Sequence, residues 1–395
     1  MKIKIYYFLG FTLLFFSCVK KEKVLNYSET VNNAISPINF VNKKLESHDL
    51  IIFDDALHSA KEPFDFYNEL LEYKVVSNKI NYLFIEVFSI TVQKHIDKFL
   101  NSKNLDQELL LPVFQNDFSG YGWRYQTYLD LLKTVWKVNR KRDTQNKIKV
   151  ICVDQPIYWD AIKTIEDYEV FQKSLIGRDY FMYKMILKEM KGFKKNIKGL
   201  FLTNTRHSYK NIKKKNGEFY WNTGTFFNQF NPKKTYAIRI HNVILSIKSK
   251  NTKSKDKSTD GLASYSYNWI QMENGDWDKA FKENNNKKVG FDLKNSQFGK
   301  ASYIGNHMLN FKEGQTMYDA YDGLIFLKPL DELHFSEKMN YFYTDAFKKE
   351  LKRRIFLLEG ENLKELLKAK KLKSIDEYIE SITHHKNIEK NYFLN

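Results

Sequence analysis

Residues 49–63 read DLIIFDDALHSAKEP, a short apolar run that ends abruptly in two aspartates, a histidine and a glutamate. An unbroken apolar run of this length is typical of a strand buried on both faces, and it favours a parallel sheet covered by helices. Pro63 disfavours helical geometry at the residue before it. We therefore predict a loop over 54–62 that carries His58, followed by a helix that begins at Pro63.

Five more apolar runs follow at intervals long enough for helical crossovers. They lie at 82–87, 148–154, 199–204, 235–241 and 322–328. Helical patterns fill several of the intervals, at 63–76, 90–101, 124–140 and 178–191. Strands that alternate with helices predict an α/β fold, a mostly parallel sheet with helices on both faces.

Three composition changes suggest the domain boundaries. The α/β domain is expected over 41–330, and the polar, turn-rich text at 246–300 predicts a surface insertion within it. Amphipathic patterns rich in lysine and glutamate over 331–395 predict a C-terminal helical extension that caps the domain. No internal repeat is visible in the sequence.

The N-terminus has the pattern of a secretory signal. Two lysines precede an apolar run at 5–16, and a small residue and Cys18 follow it. Because a cysteine comes directly after the small residue, this segment resembles a bacterial lipoprotein signal, with 1–18 as signal peptide and Cys18 as the lipid anchor. Residues 19–40 are then expected to form a polar tether. This pattern predicts a protein of the cell envelope, held to a membrane outside the cytoplasm through its N-terminal lipid.

The formal charge of +17 raises the question of a polyanionic partner. The lysines, however, are spread over several clusters, and no basic stripe interleaved with aromatic residues is apparent in the sequence. We therefore interpret them as a solvated surface and predict no nucleic-acid partner. Cys152 is the only cysteine besides Cys18, which leaves too few for a four-cysteine zinc site.

Several apolar runs end in polar residues. Glu86, Asp154 and Asn204 each stand at the end of one. Ligands bind beyond the carboxyl ends of strands in an open parallel sheet, so these side chains are expected to converge with His58. A histidine held by a carboxylate is suited to general-base chemistry, and the same groups could bind a divalent metal. The alternative is that Glu86 merely caps a loop or pairs with a lysine.

The order of these motifs resembles the erythromycin esterase-like family, within a wider superfamily that includes ChaN-like haem-binding lipoproteins and Tiki-type metalloproteases. DDALHSAKE (54–62) is similar to the family's opening motif Gly-Glu-x-x-His-Gly-x-x-Glu, with both glycines replaced and the first glutamate shortened to Asp55. LFIEVF matches its second strand, RDYFMYKMI its Arg-Asp-x-x-Met helix, and LTNTRHSYK its later histidine motif, of which only His207 remains. The resemblance covers roughly 45–330.

The resemblance implies a hydrolase in which His58 is the general base that activates water for attack on an ester carbonyl. Asp55 and Glu86 would orient the base and stabilise its charge, and His207 would bind the developing oxyanion or the substrate. Arg178 and Asp179 are interpreted as a structural pair. The residues expected to contact a small-molecule substrate are Glu62, Trp123, Arg124, Tyr125 and Asp154.

This reading requires no metal and no cofactor. Three alternatives remain open at this point. The first is a lipoprotein that binds haem or another ligand, as the ChaN-like relatives do. The second is a metal-dependent peptidase of the Tiki type, and the third is a non-catalytic envelope protein.

Overall fold

The computed structural model describes residues 27–249, 265–304 and 311–384. The predicted signal peptide over 1–18, with Cys18, lies outside this part of the chain. Across the described ranges, no helix combines the length and the apolar character needed to cross a membrane.

The described residues form nine strands, seven of them in one sheet. The strands are β1 (Leu50–Asp54), β2 (Tyr82–Ser89), β3 (Lys149–Asp154), β4 (Gly199–Thr203), β5 (Thr235–Ile240), β6 (Ile244–Ser249), β7 (Tyr265–Ile270), β8 (Val289–Asp292) and β9 (Gly323–Phe326). The sheet has the order β3-β2-β4-β1-β5-β9-β8, and within it only the pairing of β8 with β9 is antiparallel. All six apolar runs form strands of this sheet, which confirms the predicted α/β fold. Strands β6 and β7 pair separately as an antiparallel hairpin.

Helices fill the crossovers. The helix expected to begin at Pro63 begins at Glu62, and Pro63 occupies its first turn, where a proline removes no helical hydrogen bond. Besides the helical residues 27–32, the α-helices are Pro37–Ser47, Glu62–Glu72, Lys74–Ser77, Gln93–Asn101, Leu111–Gln115, Gln126–Asn139, Ile165–Ser174, Arg178–Glu189, Thr205–Ser208, Thr223–Phe230, Asp276–Glu283, Gln297–Lys300, Met317–Ala320, Asp345–Glu359, Leu363–Ala369 and Ile375–Thr383.

Both faces of the sheet are buried, because side chains alternate between them along each strand. On one face, Ile51 and Phe53 of β1 pack in a large cluster with the helices Glu62–Glu72 and Gln126–Asn139. The C-terminal helix Asp345–Glu359 joins this cluster. On the other face, Leu50 and Ile52 of β1 pack beneath the helices Arg178–Glu189 and Thr223–Phe230.

The expected tether is shorter than predicted. From residue 27 the chain is packed onto the domain, since Tyr27 and Val31 are buried in a cluster with Trp277 and Phe298. The rings of Tyr27 and Phe298 lie 4.7 Å apart at a steep angle. The two buried residues are four positions apart, one helical turn, but the polar residues around them hide this spacing in the sequence.

The expected insertion at 246–300 is also too long. The helix Asp276–Glu283 buries Trp277, Ala280 and Phe281, and β8 forms the edge of the main sheet. These residues therefore belong to the core of the domain. The apolar positions of this helix are three and four residues apart, and their small number made the segment resemble a polar loop.

We expect Tyr27→Ala to lower the free energy of unfolding by about 3–5 kcal/mol, because it empties a fully buried aromatic position. Glu29→Ala, an exposed position close by, is the matched control and should change stability little. Urea denaturation followed by circular dichroism measures both. Equal stability of the two variants would mean that this segment is a tether after all.

Candidate active site

The carboxyl edge of β3, β2, β4 and β1 collects the polar residues that follow or end those strands. Asp55, Glu86 and Asp154 are all buried there. The register between β2 and β3 shifts between Ile85 and Ser89, so Glu86 stands where the regular pairing is interrupted. Buried carboxylates are costly unless they are paired, so their partners determine the chemistry of the site.

His58 lies between two carboxylates. Its Nδ1 is 3.1 Å from Asp55 Oδ2, and its Nε2 is 3.0 Å from Glu86 Oε2. The Tyr128 hydroxyl lies 2.9 Å from Nδ1, and the Trp123 ring meets the imidazole edge-on at 5.2 Å. The structure thus brings His58, Asp55 and Glu86 together as one unit, with an aromatic wall on one side.

Arg178 holds two of the carboxylates. Its Nε donates to Asp154 Oδ1 at 2.7 Å and its Nη2 to Asp154 Oδ2 at 3.0 Å, while Nη2 also donates to Glu86 Oε1. The guanidinium is buried and lies over the Phe118 ring at 4.3 Å. The predicted pairing of Arg178 with Asp179 is therefore wrong, because the guanidinium binds Asp154 and Glu86 instead. Asp154, expected to contact substrate, has both oxygens bound by Arg178.

His207 completes the cluster from the side opposite His58. Its Nδ1 donates to Asp179 Oδ1 at 2.8 Å, and its Nε2 faces Glu86 Oε1 at 3.5 Å. Asp179 also accepts hydrogen bonds from the backbone N–H and the hydroxyl of Thr223, at 2.8 and 2.9 Å. Glu86 is consequently shared by His58, Arg178 and His207, and its two oxygens link the two histidines.

These contacts displace the pKa values of the cluster. Burial opposes the charged form of His58, but Asp55 and Glu86 outweigh it and raise the pKa of His58 to about 10. Burial likewise opposes ionisation of Glu86, yet His58, Arg178 and His207 hold its pKa well below the usual range. For Asp55 burial dominates and raises the pKa to about 6, although His58 acts in the opposite direction. At neutral pH, His58 is therefore an imidazolium between two carboxylates.

The other expected substrate-binding residues lie at different places. Glu62 is not in the cluster, because it accepts hydrogen bonds from the backbone N–H and the Nδ1 of His334, at 3.1 and 2.9 Å. Trp123 contacts both His58 and Tyr125. The Arg124 side chain hydrogen-bonds to Tyr125 and Tyr343.

Sequence reasoning missed one neighbour of His58, Tyr128, and it expected Asn204 at this edge without giving it a role. Asn204 Nδ2 lies 2.8 Å from His58 Nε2, and Asn204 Oδ1 accepts from the backbone N–H of Arg206. The position of Asn204 at a strand end was a usable signal, since it stands directly before the short helix Thr205–Ser208, which it caps. Tyr128 lies mid-helix, and nothing in its local sequence marks it.

A second buried ion pair lies beside the cluster. Asp54 Oδ2 accepts from Arg239 Nη1 at 2.8 Å and from the Tyr321 hydroxyl at 2.6 Å. Asp54 Oδ1 accepts from the backbone N–H of Ala56 and the hydroxyl of Thr205. Asp54 therefore connects two places: the start of the loop that contains His58, and the end of strand β4, where Asn204 stands.

No set of three or more histidine, cysteine, aspartate or glutamate side chains is arranged to hold a metal ion within 27–249, 265–304 and 311–384. Both nitrogens of His58 face carboxylates in this arrangement. What the described cluster offers is a protonated imidazole, an ionised glutamate and a buried arginine.

No family model and no curated protein matches this chain. Solved structures that are similar to it include a succinoglycan biosynthesis protein, with a TM-score of 0.50, 10% identity, and coverage of 79% of this chain and 97% of that one. An erythromycin esterase, solved as a mutant in its open conformation, has a TM-score of 0.49 at 10% identity and covers 73% of this chain and 92% of its own. A protein from Bacillus cereus has a TM-score of 0.42 at 13% identity, covering 72% and 89%.

These likenesses concern the fold, because identities this low show nothing more. The first of them shows that the α/β fold of this chain occurs in a solved protein, nearly all of which aligns with 79% of this chain. An erythromycin esterase is among the similar structures. The catalytic and substrate-binding roles assigned to individual residues stay predictions.

We expect Arg178→Met to lower the free energy of unfolding by about 3–5 kcal/mol, because it leaves buried carboxylates without their shared cation. Arg206→Met, an exposed arginine near the same edge, is the control. Urea denaturation at neutral pH measures both. If the two variants are equally stable, the guanidinium does not hold the cluster together.

The raised pKa of His58 also predicts how stability depends on pH. A histidine whose pKa is higher in the folded state stabilises the fold fully below its unfolded value of about 6.5 and loses this contribution as pH rises towards its folded value. The free energy of unfolding should therefore fall between pH 7 and 9, by up to about 1.4 kcal/mol per pH unit. His58→Gln should flatten this part of the curve. Parallel curves for the two proteins would contradict the raised pKa.

Proposed function

We propose that this protein is a hydrolase of the cell envelope, held to a membrane through a lipid on Cys18, and that it cleaves an ester or related carbonyl bond of a small-molecule substrate. The observation that carries the catalytic part is the placement of His58 between Asp55 and Glu86 at the carboxyl edge of the sheet. The fold shared with solved structures is consistent with it. The anchoring part rests on the N-terminal sequence pattern.

Water activation requires a neutral imidazole with a nitrogen that can accept a proton. With a pKa of about 10, roughly one His58 in a thousand is neutral at pH 7. The two carboxylates that suppress this form also stabilise the imidazolium that results once water has given up its proton. The arrangement therefore favours the product of proton transfer, at the cost of a small population of active base.

The remaining groups suit the charge that develops on an ester during attack. A tetrahedral oxyanion is stabilised by fixed donors and cations in a site shielded from water. We assign the oxyanion or substrate to His207, as the resemblance implies; Asp179 holds its Nδ1, and its Nε2 lies 3.5 Å from Glu86 Oε1 and 3.4 Å from Arg178 Nη1. Glu86 stays ionised throughout, because its pKa is far below neutrality.

The test is the pH dependence of ester hydrolysis, with p-nitrophenyl butyrate as the probe and the rate without enzyme subtracted. We expect kcat/KM to rise about tenfold per pH unit between pH 7 and 9, since the neutral fraction of His58 rises in that proportion. His58→Ala should lower the rate by about 10²–10⁴-fold.

His95→Ala, at a histidine on the helix Gln93–Asn101 away from the cluster, is the control and should leave the profile unchanged. A profile that levels off near pH 6.5 would contradict a base with a raised pKa. Hydrolysis that survives His58→Ala with the protein folded would overturn the catalytic assignment itself.

A further inference from the structure

Four aromatic side chains form a contiguous patch outside the polar cluster, which we call the aromatic surface: Tyr180, Trp221, Phe226 and Phe230. Trp221 and Tyr180 are about half exposed, and Phe230 is 58% exposed. The Trp221 ring stacks on Phe230 at 6.0 Å and lies 5.0 Å from Phe226, which in turn meets Tyr180 at 5.3 Å. A monomeric soluble protein seldom exposes a connected apolar patch of this kind without a partner for it.

An exposed aliphatic residue stands close to this surface in the sequence. Ile176 is 97% exposed and stands four residues before Tyr180, in the turn that leads into the helix Arg178–Glu189. The rings themselves continue inwards, since Phe226 packs on Tyr183 at 5.6 Å and Tyr183 on the buried Phe227 at 4.9 Å. The surface is therefore fixed to the core and presents a rigid apolar face.

The stretch of sequence that contains the aromatic surface is basic, although Lys198, Lys210, Lys214 and Lys234 within it are paired with acidic side chains. Residues 180–235, which contain all four rings, include thirteen lysines and arginines but only two acidic residues, Glu189 and Glu218. Lys184 lies 6.0 Å from the Tyr180 ring, and Lys213 lies 5.1 Å from the ring of Phe219, which itself contacts Trp221. Folding thus brings aromatic residues among lysines that looked isolated in the sequence.

We propose that the aromatic surface docks onto an anionic lipid bilayer. Tryptophan and tyrosine are the side chains that favour the interface between lipid and water, and each nearby lysine contributes about 1 kcal/mol of attraction to anionic headgroups. Nucleic acid fits the surface less well, because its bases need free ring faces on which to stack. Here Trp221 and Phe226 are both nearly parallel to Phe230, at 15° and 16°, and are stacked on it.

Docking in this way would orient the polar cluster. The helices Arg178–Glu189 and Thr223–Phe230 carry three of the four aromatic residues, all but Trp221. Their first residues also hold the cluster through Arg178, Asp179 and Thr223. The proposal does not depend on the hydrolase activity, since it concerns only which face of the protein meets the membrane.

The test is a comparison of labelled positions on one full-length chain. In a Cys18→Ser background the only cysteine left is Cys152, which is buried, so a new surface cysteine takes an environment-sensitive fluorophore selectively. Phe230→Cys reports on the aromatic surface. Val75→Cys and Phe356→Cys, 52% and 50% exposed on elements that pack on the opposite face of the sheet, are the controls.

We expect phosphatidylcholine vesicles that contain phosphatidylglycerol to shift the emission of the label at 230 to the blue, and to leave both control labels unchanged. Added salt and Lys213→Glu should weaken the shift. Because all three labelled proteins share the same N-terminus, binding through that segment alone would not distinguish the positions. Equal shifts at the three positions, no shift at 230, or a response at 230 to a single-stranded oligonucleotide but not to vesicles would each overturn the proposal.

Discussion

The buried guanidinium of Arg178 is the interaction on which the carboxyl edge of this sheet depends. Strands β2 and β3 bring Glu86 and Asp154 to adjacent positions, where two ionised carboxylates would repel each other in a poorly hydrated environment. The planar fork of Arg178 binds Asp154 through two nitrogens and Glu86 through one of the same nitrogens, a bidentate geometry that the point charge of a lysine does not offer. Arg178 therefore allows charged carboxylates at a buried edge of the sheet that could not otherwise accommodate them.

The remaining contacts follow from that neutralisation. Glu86 stays ionised, and its second oxygen is available to bind His58. Its first oxygen is shared with His207, which Asp179 holds at the start of the same helix that supplies Arg178. His58, on the loop after β1, and His207, on the short helix Thr205–Ser208, are thus linked through one glutamate.

The Nε2 of His58 faces two groups of opposite kind: the Glu86 carboxylate, which accepts hydrogen bonds, and the Asn204 amide nitrogen, which donates them. A charged imidazole donates its Nε2–H to Glu86, whereas a neutral one can accept at Nε2 from the amide of Asn204. The backbone N–H of Arg206 fixes the Asn204 carbonyl oxygen, so the amide nitrogen is directed at the ring. Each protonation state of His58 therefore has a hydrogen-bond partner at the same position.

Local sequence features were sufficient for the fold. The six continuous apolar runs and the helical patterns between them are short-range signals, and the structure confirms them. The side chains expected to meet at the strand ends, such as Asp55 and Glu86, were also identified from local sequence, because each stands at the end of an apolar run. What the sequence could not provide was the choice of distant partner. Glu62 binds His334, 272 residues away, and no local pattern encodes that pairing. Tyr27 and β8 were not predicted to belong to the domain core, because few apolar residues stand near them in the sequence.

Asp54 stands where the similar motif has a glycine, and its carboxylate is neutralised by Arg239 on β5. Neither residue is tolerable alone in this interior, since losing one partner of a buried ion pair costs about 3–5 kcal/mol. A lineage could not exchange glycine for aspartate here, or reverse the exchange, by single steps without passing through a much less stable protein. The two positions are therefore expected to be inherited together. An aligned arginine on the fifth strand would identify relatives that share this version of the motif, even where overall identity is too low to show it.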